Sequence, residues 1–394
     1  MTTYSRKFLT VGSLLRPEEL LKYKQEIEHR DDITYPFYQD LPGYQETEEK
    51  AIQDIVSKQV AHGLTEISDG EYARSLWHLD FAWGLQGYER SIQTQGYKFY
   101  EEDEQGHRHT YETRRDIGLA VTGKLSGKNH PFIEHFKLVK KYAPDTVAIK
   151  HPIVAPGHLY IETIGHETIG EGHYYTNLED FRQDLITAYK EYVKEYAQAG
   201  GSILQLDDCI WASFVGDEDT IQLASLDSDF SSFDKEEVAQ HLIDMNNAVA
   251  DYAHELGLKV YAHNCRGNYA SRAFTDGAYS EVAEYFLARQ HYDRFYLEWD
   301  DDRAGSLEVL KVFSDRPEVE VVLGALSSKT ANLDDPDRAL AMLEEASRYL
   351  GKDRLYLSHQ CGFASCDCGN ELSEEQQWAK IDQGHEIAYQ FFGE

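Results

Sequence analysis

Two thiols, an imidazole and a carboxylate stand where a metal would need them. His263 and Cys265 lie two residues apart at the end of a short apolar run, Glu298 ends another run, and Cys361 follows a third. Side chains two apart on an extended chain point to the same side, so His263 and Cys265 project together. An imidazole and a thiolate make half of a zinc site, which the Glu298 carboxylate and the Cys361 thiolate could complete. Thiolate-rich zinc suits the holding and activation of a substrate thiol. The spacing points to a zinc enzyme acting on sulfur.

These residues need strands to carry them, and eight short apolar segments are present: 8–12, 64–68, 146–150, 202–207, 259–263, 294–298, 320–324 and 354–358. Several are rich in Val, Ile, Leu and Tyr, as strands buried on both faces should be. Between most of them run charged stretches of helical period. The clearest are Leu178–Ala199 behind a capping Asn177, Lys235–Leu256 behind Asp234, and Asp335–Leu350 behind Asp334. Strand and helix alternating eight times predict an α/β fold of the (β/α)8 TIM-barrel type. An open doubly wound sheet competes, but no Gly-rich dinucleotide fingerprint follows any strand. The polar segment from about 83 to 129 breaks the rhythm and reads as a β-hairpin insertion after strand 2, with solvated loop as the plainer alternative. No Pro/Gly/Ser linker or internal repeat divides residues 1–394, which are expected to form one catalytic barrel.

Barrels of this kind gather their chemistry at the C-terminal ends of the strands. Polar groups stand at nearly all of them: Gly12-Ser13, Asp69-Gly70-Glu71, Asp207-Asp208, His263-Asn264-Cys265, Glu298, Ser327-Ser328-Lys329 and His359-Gln360-Cys361. Taken singly, each has a plain reading. His263 or Cys265 alone would be core, Asp207 and Asp208 could cap a helix, and the acidic run after Glu298 could solvate a loop. Cys209 reads as packing. Cys366 and Cys368 read as rim thiols, or as partners of Cys361 in a closed all-sulfur site.

Composition narrows the partners. A formal charge of −32 argues against nucleic acid and anionic membranes, both of which call for clustered Lys and Arg. Five cysteines, three of them within residues 361–368, fit metal or reactive thiols better than a disulfide framework. No apolar run has the length of a signal peptide core or a membrane span, so a cytoplasmic protein is expected.

Together, Gly12-Ser13, Asp69-Gly70-Glu71, Gln205-Leu206-Asp207, His263-x-Cys265 and Cys361-Gly362 resemble the C-terminal catalytic half of cobalamin-independent methionine synthase. The resemblance spans nearly the whole chain. It implies a zinc ion that binds homocysteine as a thiolate, and a methyl group arriving from a methyltetrahydrofolate. Matched motif by motif, it implies His263, Cys265, Glu298 and Cys361 as metal ligands. It places Ser13 at the homocysteine carboxylate and Glu71 and Asp207 at its ammonium.

Two departures stand out. The full-length family enzymes carry a second barrel for which 394 residues leave no room. Lys329 occupies the place, after strand 7, of a family histidine thought to donate a proton. Lys329 is expected to position substrate or donor charge, with the proton coming from His359, His78 or water. The leading expectation is an S-methyltransferase making methionine from homocysteine. A corrinoid-linked or other thiol methyltransferase on the same barrel is the second enzyme reading, and a non-catalytic zinc-binding protein is the reading from another class.

Overall fold

The computed structural model describes residues 4–27, 34–103, 105–215 and 234–393. Its strands in chain order are β1 (Glu66–Ile67), β2 (Gln86–Ser91), β3 (Lys98–Glu102), β4 (Arg108–Glu112), β5 (Gly118–Ser126), β6 (Ala148–Val154), β7 (Ile203–Asp207), β8 (Lys259–Asn264), β9 (Arg294–Glu298), β10 (Glu320–Leu326) and β11 (Leu355–His359). Among the described residues, seven of them form one parallel sheet in the order β1-β6-β7-β8-β9-β10-β11. Each apolar run of the sequence from 64 to 358 supplies one of these strands.

The first run, 8–12, joins the sheet by a single parallel bridge, Phe8 to Leu357. It lies between the sheet's two ends. On one side Leu9 N donates to Leu357 O and Leu357 N to Lys7 O. On the other, Ser68 Oγ donates to Gly12 O at 2.6 Å. From inside, Lys150 Nζ donates to Thr10 O and Val11 O at 2.6 and 2.8 Å, and Gln205 Nε2 donates to Val11 O at 3.1 Å. Side chains do here much of what a backbone ladder does elsewhere, and the curled sheet is completed as a barrel.

The period of two sorts each strand into an outer and an inner face. Leu204, Leu206, Val260, Ala262, Phe295, Leu297, Val321 and Leu323 face outward into the main core. Leu9, Val11, Ile203, Tyr261, Tyr296 and Val322 pack together inside. Below them buried Arg294 pairs with partly buried Glu66 at 2.7 Å and Glu320 at 2.6 Å, closing the floor with an ion network. Two residues further along each strand, the same inner face presents Ser13, Gln205 then Asp207, His263 then Cys265, and Glu298. The alternation that fills the barrel therefore also lifts the candidate site to its mouth.

The helices start as side-chain caps dictate. Asn177 accepts from Asp180 N ahead of Leu178–Gln198, and Asp234 accepts from Glu236 N and Glu237 N ahead of Lys235–Glu255. For Pro336–Leu350 the cap is Asp335, not Asp334. Asp334 instead accepts from Ser327 N and pairs with Lys380. No helix among the described residues is long and apolar enough to cross a membrane.

Residues 86–126 form two antiparallel pairs, β2 with β5 and β3 with β4. The second pair reaches the loop after β8, where Tyr100 N donates to Ala273 O and Ala273 N to Tyr100 O. Phe99 stacks on Tyr269 with ring centroids 5.1 Å apart. The insertion thus roofs the barrel mouth.

Candidate functional site

Under that roof lies a cavity lined by Ser13, Glu71, Asp207, Cys209, His263, Cys265 and Cys361 on the barrel side. Trp77, Tyr97, Phe99, Tyr269 and Phe274 form an aromatic wall opposite.

Register brings the sulfurs together. Asp207 pairs with His263 across β7 and β8, and Asp208 N donates to His263 O at 2.8 Å, carrying the alignment past the strand ends. Two residues beyond this pair stand Cys209 and Cys265, with their Sγ atoms 3.6 Å apart. Cys361, after β11, places its Sγ 3.4 Å from His263 Nε2. Donor atoms of Cys209, His263 and Cys265 all lie within 4.8 Å of one another. Hydrogen bonds from the Cys209 and Cys361 thiols, with one from His263, hold Cys265 well below the ordinary thiol pKa despite its burial. The bond to Cys265, together with burial, pushes Cys209 and Cys361 up. The cluster already favours one thiolate shared by its neighbours, and its buried soft donors fit zinc.

Glu298 sits at the cluster's edge. Its Oε2 accepts from Arg266 N at 2.6 Å, and its Oε1 accepts from Arg303 Nη2 at 2.9 Å and Lys329 Nζ at 3.4 Å. Burial pulls the Lys329 pKa down, but Glu298 and Asp300 outweigh it and leave it above its ordinary value. Lys329 is therefore a cation at neutral pH and a weak acid. His359, one of the alternatives, is packed edge-on against Phe8 and Phe363, and burial holds its pKa well below the ordinary value.

On the other side of the cavity, Glu71 is buried at a φ of 61°. That left-handed conformation is uncommon outside glycine, and Asp69 Oδ1 supports it by accepting from Glu71 N at 2.9 Å. Glu71 Oε1 lies 3.5 Å from Arg74 Nη1, while Oε2 has no hydrogen-bond partner among the described residues. Burial, with Asp207 and Asp69 adding to it against Arg74, pushes Glu71 up to about 7. Asp207 is raised too, mainly by burial, with His263 and the Gln205 amide opposing. Ser13 Oγ accepts from Ala364 N at 3.2 Å. A Cβ at Gly362 would fall 1.9 Å from that oxygen, so the Cys361-Gly362 turn must keep its glycine.

Two features escaped the sequence reading. Cys209 belongs to the sulfur cluster. The signal was available, since Cys209 is two past Asp207 as Cys265 is two past His263. The second is Glu162, buried among His158 Nε2 at 3.6 Å, His166 Nε2 at 3.4 Å and His78 Nε2 at 4.0 Å, and bonded to Tyr97 OH. The H-x3-E-x3-H spacing of 158–166 puts these three on one helix face. Cys366 and Cys368, by contrast, pair with each other, Sγ to Sγ 3.0 Å.

No family model matches the chain. Two uncharacterized proteins of Bacillus subtilis, YxjH and YxjG, are each 34% identical to it over 378 residues, 96% of this chain and 92% of theirs. Among solved structures, a candidate vitamin-B12-independent methionine synthase from Listeria monocytogenes superposes with a TM-score of 0.69 at 27% identity, covering 100% of both chains. A B12-independent methionine synthase from Shewanella sp. W3-18-1, in complex with selenomethionine, gives 0.68 at 19% identity over 98% of this chain and 97% of that one. The second likeness is one of fold.

Proposed function

The chain belongs to one family with these Bacillus proteins, within the single-barrel cobalamin-independent methionine synthases, and from that premise we propose that it transfers a methyl group to the thiol of homocysteine. The observation that carries the reading is the convergence of Cys265, His263 and Cys361 at the mouth of the barrel, 3.4 Å between the His263 and Cys361 donors, beside the buried carboxylates of Asp207 and Glu71, the latter with Oε2 unpartnered among the described residues. Zinc would be held by His263, Cys265 and Cys361, with the family's fourth ligand at Glu298. Bound there, it would keep the substrate sulfur as a thiolate at neutral pH.

The residues of the chain bind and orient the amino acid. Glu71 and Asp207 take the ammonium, which gives the free Glu71 Oε2 its missing donor. Ser13 meets the carboxylate from a turn braced by Phe363 N and Ala364 N. Lys329 and Arg303, anchored on Glu298, keep positive charge beside the sulfur pocket. A methyltetrahydrofolate fits the opposite wall, where Trp77, Tyr97, Phe99, Tyr269 and Phe274 offer flat apolar faces to a pterin ring.

The reading is tested by incubating zinc-loaded protein with L-homocysteine and, separately, methyltetrahydrofolate or methylcobalamin, and measuring methionine. Methionine from methyltetrahydrofolate is the expected result. Methionine from methylcobalamin alone would move the donor to the corrinoid class, and none from either would overturn the activity.

A further inference from the structure

Two thiols lie outside the sulfur cluster. Cys366 and Cys368 sit on the loop that carries Cys361, with their Sγ atoms 3.0 Å apart. A tight turn makes the pair: Gly369 N donates to Cys366 O at 3.1 Å, and Gly369 takes a φ of 69° that favours glycine. Cys366 is buried and Cys368 is exposed. The hydrogen bond from Cys366 holds Cys368 below the ordinary thiol pKa, with Arg16 adding to it against burial and Asp367. The same contact, with burial behind it, pushes Cys366 up. An accessible thiol of lowered pKa beside a second thiol is the arrangement in which peroxides oxidise cysteine to a disulfide.

The turn is tied to the cavity wall. Cys366 bridges Leu76, and Trp77 N donates to Ser365 O at 3.0 Å. Arg16 Nη1 donates to Cys366 O at 2.7 Å, while its Nη2 donates to Glu71 O at 2.8 Å. We propose that Cys366 and Cys368 are a dithiol that hydrogen peroxide closes to a disulfide, and that closure loosens residues 71–77. The Cys368 thiolate attacks one peroxide oxygen and the O–O bond breaks. Cys368 becomes a sulfenic acid, and the other oxygen leaves as hydroxide, which takes the proton that Cys368 had released. Cys366 then attacks the sulfenyl sulfur. The S–S bond forms, the S–O bond breaks, and a second water leaves with the Cys366 proton. Two thiols have lost two electrons and the peroxide is reduced to two waters; two equivalents of a small thiol reverse the change. Bonding distance is shorter than the present separation, so the turn must tighten, and Leu76 and Arg16 are attached to it.

The test treats zinc-loaded protein with one equivalent of hydrogen peroxide, then alkylates it under denaturing conditions and digests it with trypsin. Peptide 355–380 holds Cys361, Cys366 and Cys368. It should carry one alkyl group, at Cys361, and regain all three after dithiothreitol. Cys366→Ser should stop at a Cys368 sulfenic acid that dimedone traps, whereas Cys368→Ser should take up no dimedone at Cys366. Three alkyl groups on the treated wild-type peptide, or oxidation of Cys265 or Cys361 ahead of the pair, would overturn the proposal. Amide hydrogen exchange reads the coupling without any ligand. Exchange across 71–77 should quicken by about 2- to 30-fold in oxidised wild type, the ordinary range for coupled packed sites, and stay unchanged in treated Cys368→Ser. Unchanged exchange in wild type would refute the link. A matching loss of methionine affinity on oxidation is expected, and this last readout rests on the proposed function. Protein that closes the disulfide and quickens exchange, yet binds methionine in neither state, would count against the amino-acid site and leave the dithiol standing.

Discussion

Glu71→Gln tests the proposed ammonium site. Wild-type Glu71 has one oxygen near Arg74 and one with no partner among the described residues, so an incoming ammonium would meet a buried carboxylate with an oxygen to spare. Replacing charge by amide removes a charge-assisted bond worth about 1.5–3 kcal/mol, which is roughly a 10- to 150-fold weaker Kd. The pH dependence follows from the same group. With its pKa pushed up to about 7, Glu71 is mostly ionised at pH 8 and roughly one-tenth ionised at pH 6, so affinity should fall about tenfold over that range. The sign is fixed, because the charged form binds and acid removes it. Asp207, raised in the same direction, can only steepen the fall. Methionine is the ligand of choice, since its thioether does not titrate and its ammonium stays charged throughout. Calorimetric titration of methionine at pH 8, 7 and 6 should give an affinity that falls with pH in wild type and a flatter, weaker profile in Glu71→Gln. A flat wild-type profile, or a Glu71→Gln protein that binds as tightly as wild type at pH 8, would refute the reasoning.

Cys265→Ser and Cys361→Ser should lose nearly all their zinc on metal analysis, whereas Glu298→Gln should keep some of it, because two thiolates and an imidazole remain; stoichiometric zinc in both serine variants would remove the site. Lys329→Met should weaken turnover without altering zinc content or the number of ionisations in the pH profile. Loss of one ionisation together with all turnover would instead make Lys329 the proton donor, and Lys329→His provides the comparison. Gly362→Ala should force Ser13 aside and cost about 1–3 kcal/mol in denaturant unfolding, with a matching loss of methionine affinity. Unchanged stability would show that the turn has room the structure does not give it.

Much of this was legible in the sequence because burial on both faces leaves strands as uninterrupted apolar runs, and because period two then assigns the inner face. Val260 and Ala262 face out while Tyr261 and His263 face in, and the polar residue ending each run falls at the barrel mouth without further information. The first strand was visible as a segment but not as a bridge, since what ties it down is the side chains of Lys150 and Gln205. Those residues carry no signal until the barrel closes. Cys209 was misread because a lone thiol after two acids looks like packing, and only the register of the neighbouring strand gives it a partner. The cluster around Glu162 combines a helical spacing readable in sequence with Tyr97 and His78, which arrive from elsewhere in the chain.

The contact between Ser13 and the 362–364 turn has a consequence for synthesis. Ser13 and Ala364 are 351 residues apart, so at ribosomal rates of about 5–20 residues per second roughly 20–70 s separate their appearance. Within the last third of that interval the nascent chain comes to carry Asp207, Cys209, His263 and Cys265, yet lacks both Cys361 and the turn that braces Ser13. The proposed homocysteine site can therefore form only after the last strand has been translated and docked beside the first. Until then, Cys209, His263 and Cys265 stand without Cys361, the partner that the folded chain places 3.4 Å from His263 Nε2.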